Sequence, residues 1–448
     1  MSNHKFYDTL VDFSATKPLR LHMPGHKGKG MPMPEWDALS HLDFTELTPV
    51  GGLYEGDDWL EEAQRLWAWD WGMDTAFFCT GGSTQGNFTL FGLFIRPGDT
   101  VIVDRLSHKS IHHAISLYDV KPVWLHREWD ENCAITGSVT VDEVEKLLTA
   151  NPEATAVILT TPTYYGVITP LEDIAALCHS RGVKLLVDGA HGAHLPLVLD
   201  GAENCPLGHN PYTCCDGMTV STHKTLPAPG QTAVVFANGV RMEDIRRASS
   251  VTGSTSPSYP MMAALDALRN WMWDNKGGYR KSAAWCADLR RSYPSLPRTD
   301  LDPCRFTLQV EDGEGLAKKL EELGIYVEMA DTTHVVCILT SADDERDFVR
   351  LKRALNYLGL KNKAPFVSTL EAPPVPAVAT SLRTARFGEF ERIPMSKALG
   401  RVAAESIAPY PPGVPVVTMG ERIDEKTLAY LYKLCYDEQS VILALKED

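Results

Sequence analysis

The sequence predicts a doubly wound α/β domain followed by a smaller α+β domain. From about residue 75, short apolar runs rich in β-branched residues alternate with amphipathic stretches, which is typical of parallel strands joined by helices. After about residue 275 the elements follow an α+β order instead. The chain of 448 residues is long enough for both domains. We therefore expect an N-terminal arm at 1–50, the α/β domain at 51–275 and the α+β domain at 276–448.

Five apolar runs are the expected strands of the α/β domain. They mostly lack polar alternation, as do parallel strands that are covered on both faces of a sheet. The runs are TVIVDR (100–105), ATAVILTTP (154–162), VKLLVDGAH (183–191), GMTVSTHK (217–224) and TAVVFAN (232–238).

Helices are expected between these strands and again in the C-terminal domain. Thr140 and Glu143 have the spacing of a capping box before a helix at 140–149, and Gly182 ends a helix at 171–181. The first 50 residues carry little periodicity, so we expect them to cover another surface, such as a second subunit. In the C-terminal domain we expect helices at 280–292, 314–323 and 343–358, the strands RFTLQV, IYVEMA and HVVCILT, and a non-helical proline-rich run at 408–417.

Composition and charge exclude several classes of partner. The net charge of −15 argues against nucleic acid, because phosphate binding needs a basic surface. No apolar run approaches the roughly 20 residues that span a bilayer, and the N-terminus lacks the apolar core of a secretion signal. The ten cysteines form no CxxC pair, which favours a reducing cytoplasm over a metal site or disulfides. We expect a cytoplasmic protein whose acidic surface is compatible with a small cationic substrate.

Four polar clusters fall at the expected strand ends, where open α/β sheets bind their ligands. The first, CTGGSTQGN (79–87), places Gly82, Ser83 and Thr84 before an apolar helix. Glycines let a ligand approach the backbone closely, and a helix N-terminus offers N–H groups and a positive dipole end, so this loop suits a phosphate. Taken alone, the same pattern fits any tight turn before a capped helix.

The other three clusters contribute one side chain each: His108 after TVIV, Asp188 after KLLV and Lys224 after GMTV. Separately they have ordinary explanations, namely a surface histidine, a helix cap or ion pair, and a surface lysine. Together with the phosphate loop they are the set that pyridoxal phosphate needs. A lysine forms an imine with the aldehyde, a carboxylate keeps the ring nitrogen protonated, and a flat side chain stacks on the ring. The residues therefore predict a pyridoxal phosphate site.

Eight segments of the chain resemble the bacterial ornithine/lysine/arginine decarboxylases. They are RLHMPGHKGKG (20–30), FFCTGGSTQGN (77–87), DRLSHKS (104–110), TTPTYYGV (160–167), LLVDGAHGAH (185–194), STHKTLPAPGQ (221–231), STSPSY (254–259) and PYPPGVPVVTMGE (409–421). The resemblance implies the aspartate-aminotransferase fold (fold type I), pyridoxal phosphate as cofactor, and at least a homodimer with shared active sites. It also implies decarboxylation of arginine, lysine or ornithine to agmatine, cadaverine or putrescine.

The resemblance assigns roles to individual residues of the site. Lys224 would form the imine, with His223 beside it on the cofactor side and His191 close by. Asp188 would pair with the pyridine nitrogen, and His108 would stack on the ring. The phosphate would be held by Gly82, Ser83, Thr84, Ser221 and, from a partner subunit, Thr255.

Two features depart from the family pattern. Larger members carry an N-terminal wing domain that builds decamers, whereas about 20 residues precede the PGHKGKG motif here, so we expect a short form without that wing. The Pro-Arg-x-Ala segment of the family appears as SLRTA (381–385), without the proline, which leaves the geometry near Arg383 undefined.

Other functions stay open on the sequence alone. An aminotransferase of the same fold would hold the substrate carboxylate with an arginine, for which Arg383 and Arg386 are candidates. A non-catalytic regulatory paralogue is a further alternative, against which the complete lysine, aspartate and histidine set argues. The residues do not choose among the three substrates, and Glu421 is only a candidate for recognising the substrate side chain.

Overall fold

The computed structural model describes residues 4–56, 58–199, 209–408, 415–434 and 436–446. The chain divides into two compact units, each built from separate stretches of sequence. The first unit comprises 1–94, 186–281 and 340–342, and the second comprises 95–185, 282–339 and 343–448. The domain boundaries expected near residues 50 and 275 stay a prediction.

Helices and strands alternate along most of the chain. The first part contains α1 (Lys5–Ala15), α2 (Pro34–Ser40), α3 (Trp59–Trp71), β1 (Thr75–Cys79), α4 (Gly82–Phe94), β2 (Thr100–Asp104), α5 (Lys109–Tyr118), β3 (Lys121–Leu125), β4 (Trp129–Asp130), β5 (Ile135–Thr136), α6 (Val141–Ala150), β6 (Ala154–Thr160), α7 (Glu172–Ser180), β7 (Lys184–Asp188), α8 (Leu195–Val198), β8 (Gly217–Val220), α9 (Thr222–Thr225), β9 (Ala233–Ala237) and α10 (Met242–Ser250). After these come α11 (Tyr259–Ser292), β10 (Arg305–Gln309), α12 (Gly313–Glu322), β11 (Met329–Ala330), β12 (His334–Ile338), α13 (Glu345–Tyr357), α14 (Leu382–Phe387), β13 (Phe390–Pro394), α15 (Glu425–Leu434) and β14 (Val441–Leu445).

In the first unit, four strands lie side by side in the order β1, β9, β8, β7. Strands β7 and β8 are parallel, whereas β9 is antiparallel to both β8 and β1. The prediction of parallel strands is therefore confirmed for β7 and β8 and wrong for β9. A parallel pair needs a connection that crosses to the far end of the sheet. The loop after α9 instead brings the chain back at the end where β8 stops.

Glycines bring α4 close to the sheet of the first unit. A side chain at Gly86 would collide with Thr219 of β8, and a Cβ atom at Gly217 would lie 2.7 Å from Phe94 Cε2 and 2.8 Å from Leu90 Cδ2. Both distances are too short for a real contact, so a larger residue would push α4 off the strand. This close packing fixes the N-terminal end of α4 beside the end of β8.

The N-terminal stretch forms a helix that the sequence did not predict. In α1, Phe6 and Leu10 are fully buried, and the Phe6 ring packs 6.2 Å from the ring of Tyr259. The backbone N–H of Tyr7 donates to the carboxylate of Asp266 at 2.9 Å. At least this part of the expected arm therefore covers α11 of its own chain.

In the second unit, β6, β2 and β3 are neighbours and run parallel, as predicted for β2 and β6. A second sheet has the order β10, β12, β11 and is antiparallel, and it carries α12 and α13. The expected capping box is present, since Thr140 N–H donates to Glu143 at 2.7 Å and Glu143 N–H donates back at 3.3 Å.

Three C-terminal expectations differ from the structure in extent. The helix expected at 280–292 is the end of the 34-residue α11. Only Met329–Ala330 of the expected strand IYVEMA pairs with β12, because the chain at 325–327 leaves that strand's edge. Most of the proline-rich run at 408–417 lies outside the described residues.

Within the described part of the chain, no helix combines the length and apolar character that crossing a membrane requires.

Candidate active site

Three loops of the first unit meet at one edge of its sheet. They follow β1, β7 and β8, which all run in the same direction because two antiparallel pairings relate β1 to β8. The carboxyl ends of such strands share an edge, and that edge is where open α/β sheets bind ligands. Predicted site residues occur in all three loops.

The loop after β1 contains the predicted phosphate-binding residues. Gly82 has a φ of +70°, which favours glycine, and its N–H donates to the carbonyl oxygen of Gln231 at 2.7 Å. The hydroxyl oxygens of Ser83 and Ser221 lie 2.6 Å apart, which joins the loops after β1 and β8. Ser83 and the exposed Thr84 are in the first turn of α4, where the helix supplies no acceptor for backbone N–H groups. Paired hydroxyls at a helix N-terminus suit a phosphate.

Lys224 lies in α9, the single helical turn that follows β8. Its side chain is half-buried, and its Nζ atom is 3.1 Å from His191 Nε2 in the loop after β7. The neighbouring His223 donates from Nδ1 to the carbonyl oxygen of Thr232 at 2.8 Å, which fixes its ring. The Thr222 hydroxyl donates to the Thr232 hydroxyl at 2.8 Å. These bonds hold α9 at the sheet edge, with the lysine amine beside a buried histidine.

Asp188 ends β7 and is almost completely buried, with 3% of its surface exposed. Its Oδ2 atom accepts a hydrogen bond from Asn87 Nδ2 at 2.9 Å, and Oδ1 accepts one from the Ala190 N–H at 3.1 Å. Asn87 lies on α4 and was not predicted as a site residue. The only sequence signal for it was its place four residues after Ser83, on the same helical face.

His108 lies in the second unit, directly before α5. Its Nδ1 atom accepts a hydrogen bond from the Ser110 N–H at 3.2 Å, so the side chain caps α5, and the residue is exposed. Burial, together with the charge of Arg105, lowers the pKa of the neighbouring His112 to about 3, so that ring is neutral near pH 7. The stacking role of His108 stays a prediction.

Two buried ion pairs hold the loop that carries His108, and neither was predicted from the sequence. Asp104 and Arg127 approach to 2.5 Å with fully buried side chains, and Arg105 lies 2.8 Å from Glu421. A signal for the first pair was present, because Asp104 ends an apolar strand as Asp188 does. Arg127 gave no signal, since an isolated arginine after a short strand looks like a surface residue.

Two other candidates, Glu421 and Arg383, belong to the second unit and have contacts there. Glu421 accepts from Arg105 and from the Thr418 N–H at 2.7 Å, so its carboxylate belongs to a buried ion pair. Arg383 is exposed on α14 and donates to the backbone carbonyls of Ser116 and Leu117, both at 3.2 Å.

The SLRTA segment, which lacks the proline of the family pattern, forms the start of α14. Ser381 caps this helix by accepting from the Thr384 N–H at 3.0 Å, so a helix forms there without the proline. Arg386 is exposed on the same helix. The residue expected to act from a partner subunit, Thr255, is exposed in the first unit.

Two buried thiols, one in each unit, are not suited to nucleophilic chemistry. Burial raises the pKa of Cys79, at the end of β1, to about 12. Burial likewise raises the pKa of Cys337 to about 12. Because the thiolate is the reactive form, both cysteines are inert near neutral pH.

Comparisons with known proteins agree with the motifs. A profile described as Orn/Lys/Arg decarboxylase, major domain, matches residues 4–287, and one described as Orn/Lys/Arg decarboxylase, C-terminal domain, matches 363–440. An arginine decarboxylase of Halalkalibacterium halodurans is 31% identical over 95% of this chain and 92% of its own length.

Solved structures share the fold. A lysine decarboxylase of Francisella novicida has a TM-score of 0.81 at 18% identity, over 98% of this chain and 81% of that chain. A variant of the serine palmitoyltransferase of S. paucimobilis, with a bound PLP–myriocin aldimine, has a TM-score of 0.52 at 18% identity, over 66% of this chain and 76% of that chain. The predicted fold type I is thus confirmed. Because the major-domain profile covers more than half of the sequence, the chain belongs to the family of ornithine/lysine/arginine decarboxylases.

Proposed function

We propose that this protein is a pyridoxal-phosphate-dependent decarboxylase of a basic L-amino acid in which Lys224 binds the cofactor covalently. The observation that carries the proposal is the position of the Lys224 amine, 3.1 Å from His191 Nε2 at the edge where β7 also ends in the buried Asp188. A lysine and a buried carboxylate at neighbouring strand ends are what the aldehyde and the ring nitrogen of this cofactor require.

The residues of the first unit fit the cofactor chemically. The hydroxyls of Ser83 and Ser221, with the first turn of α4, form a cradle for the phosphate. The carboxylate of Asp188 suits the ring nitrogen, and the amine of Lys224 suits the aldehyde. We assign His223, which lies in the same unit, to the space around the ring, and the stacking role of His108 stays a prediction. When bound, pyridoxal phosphate accepts into its protonated ring the electrons that remain at Cα after carbon dioxide leaves.

The chain's own side chains supply charge and protons. The negative charge of Asp188 would hold a proton on the ring nitrogen, and the interaction between the two charges is stronger because Asp188 is buried away from water. Lys224 returns a proton from Nζ to the Cα atom of the product. His191 Nε2 lies within hydrogen-bond distance of that amine, so it can replace the proton that Nζ gives up.

Arginine is the substrate we propose, with lysine second. The relative that is 31% identical over 95% of this chain is named an arginine decarboxylase. The lysine decarboxylase of Francisella novicida shares the fold at 18% identity, which carries less weight for a substrate. The net charge of −15 favours a cationic amino acid over an acidic one.

Product analysis tests this proposal. Purified protein with pyridoxal phosphate is supplied with arginine, lysine or ornithine alone, without a keto acid, and the carbon dioxide and the amine are measured. We expect agmatine from arginine, at a specificity constant at least about tenfold above that for lysine, because the pocket must match one cationic head group. Products that appear only with an added keto acid, without carbon dioxide, would identify an aminotransferase. Cadaverine formed from lysine faster than agmatine from arginine would identify lysine as the substrate instead.

We also infer that the active form is at least a homodimer. Leu19, Leu21 and Met23 are 78%, 83% and 62% exposed, an unusual run of apolar surface. The segment is nevertheless fixed, because Arg20 between them is buried and its guanidinium lies 3.9 Å from the centre of the Phe44 ring. A fixed apolar surface of this kind suits a self-complementary interface.

The double variant Leu19→Glu/Leu21→Glu should dissociate the dimer and lower activity together with it, because two charges would be buried in the interface. Sedimentation velocity measures the assembly, and the exposed Tyr357, which is 79% exposed in the second unit, offers a control as Tyr357→Glu. A wild-type monomer that is fully active at every concentration would contradict the dimer.

A further inference from the structure

We propose that Asn87 is a positioning residue for the cofactor, because it orients Asp188 while leaving the carboxylate its negative charge. This inference rests on the proposed function. Asn87 is 1% exposed, and its side-chain amide donates to Asp188 Oδ2 at 2.9 Å. The other oxygen accepts from the Ala190 N–H at 3.1 Å. The carboxylate is therefore held at both oxygen atoms by neutral donors.

Asp104, the buried aspartate of the second unit, shows how a charged partner changes the net charge at a strand end. Asp104 also ends a parallel strand, but it is paired with the Arg127 guanidinium at 2.5 Å. A guanidinium cancels the charge of a carboxylate, so that aspartate is suited to structure. An amide satisfies a carboxylate oxygen without adding charge. The negative charge of Asp188 is therefore not offset by Asn87, whereas the charge of Asp104 is offset by Arg127.

Asn87 also links the position of Asp188 to that of the phosphate-binding loop, because it lies on the same helix as Ser83. Ser83 and Asn87 are four residues apart and lie on one face of α4. Ser83 contacts Ser221 after β8, and Asn87 contacts Asp188 at the end of β7. One rigid helix therefore sets the separation between the phosphate cradle and the carboxylate. Gly86 between them keeps the helix close enough to the sheet for both contacts.

The test compares Asn87→Ala and Asn87→Asp with a control on the same helix. Thr89 is fully buried and its hydroxyl donates within α4, to the Gln85 carbonyl at 2.9 Å, so Thr89→Val removes a buried hydrogen bond away from Asp188. The readouts are the dissociation constant of pyridoxal phosphate, the visible circular dichroism of the bound cofactor, and kcat and KM measured separately.

We expect Asn87→Ala to weaken cofactor binding about tenfold, since a hydrogen bond to a charged group is lost, and to change the visible circular dichroism. The value of kcat should fall while KM for the amino acid stays within about twofold. Asn87→Asp should be worse, about a hundredfold in cofactor affinity, because it places a second carboxylate beside Asp188. Thr89→Val should leave the cofactor affinity and spectrum unchanged, even if it lowers the unfolding temperature.

Equal cofactor affinity and spectra in Asn87→Ala and Thr89→Val would overturn the inference. If Asn87→Ala does not fold, Asn87→Leu replaces it, because leucine keeps the branched shape of the side chain but has no donor. Failure of the proposed function looks different, because the wild-type protein itself would then bind no pyridoxal phosphate. If the wild type binds the cofactor and Asn87→Leu binds it equally well, only the role of Asn87 is rejected.

Discussion

Replacing Lys224 by alanine should lower the turnover of the amino-acid substrate by at least about a thousandfold. The amine is proposed both to bind the cofactor and to return a proton to Cα, and general acid–base catalysis alone typically contributes about 10² to 10⁴. The variant should also lose the visible absorption that a covalently bound cofactor gives. Turnover is measured as carbon dioxide release, and the absorption by titration with pyridoxal phosphate.

A second lysine, at the start of a strand that leads to the site, gives the control for this variant. Lys184 begins β7, the strand that Asp188 ends, and it is exposed. Lys184→Ala should leave turnover and absorption unchanged, because Lys184 lies at the opposite end of β7 from Asp188. If Lys224→Ala kept more than a tenth of the wild-type rate, the role assigned to Lys224 would be wrong.

Replacing Asp104 by asparagine should lower the free energy of unfolding by about 3–5 kcal/mol. The substitution leaves the guanidinium of Arg127 buried without its counter-charge, and breaking a buried pair costs about that much. Asp104 also accepts from the N–H groups of Leu106 at 3.0 Å and Thr160 at 3.1 Å. The variant therefore loosens the ends of β2 and β6 at once. Urea unfolding followed by circular dichroism measures the effect.

A surface pair provides the contrast for this variant. Asp244 and Arg241 approach to 2.8 Å with side chains that are 45% and 74% exposed. Solvent screens such a pair, so Asp244→Asn should have the same unfolding midpoint as the wild type. Equal stability of Asp104→Asn and Asp244→Asn would show that the buried pair does not hold the strand ends.

The sequence was sufficient for features that depend on local pattern. Strand ends could be located because apolar runs stop at Asp188 and at Ser221, and these positions agree with β7 and β8. The capping box at Thr140 was predictable because it involves only residues three apart. The family followed from motifs that are each short and continuous, and the profile comparison confirms it.

Features that depend on distant contacts could not be predicted in the same way. The reversal of β9 depends on how the loop after α9 folds back, for which an apolar run gives no signal. Asn87 looks like an ordinary polar residue in a helix until its contact with Asp188, 101 residues away in sequence, is known. The pairing of Arg127 with Asp104 and of Glu421 with Arg105 likewise appears only in the folded chain.

Chemical trapping of the cofactor tests whether Lys224 is the residue that binds it. Purified protein is loaded with pyridoxal phosphate, reduced with borohydride so that the cofactor is fixed to its lysine as a stable secondary amine, digested, and analysed by mass spectrometry. We expect one modified peptide that contains residues 221–231, with the added mass on Lys224. A cofactor fixed on a different lysine, or no modified peptide from protein that releases carbon dioxide from arginine, would contradict it.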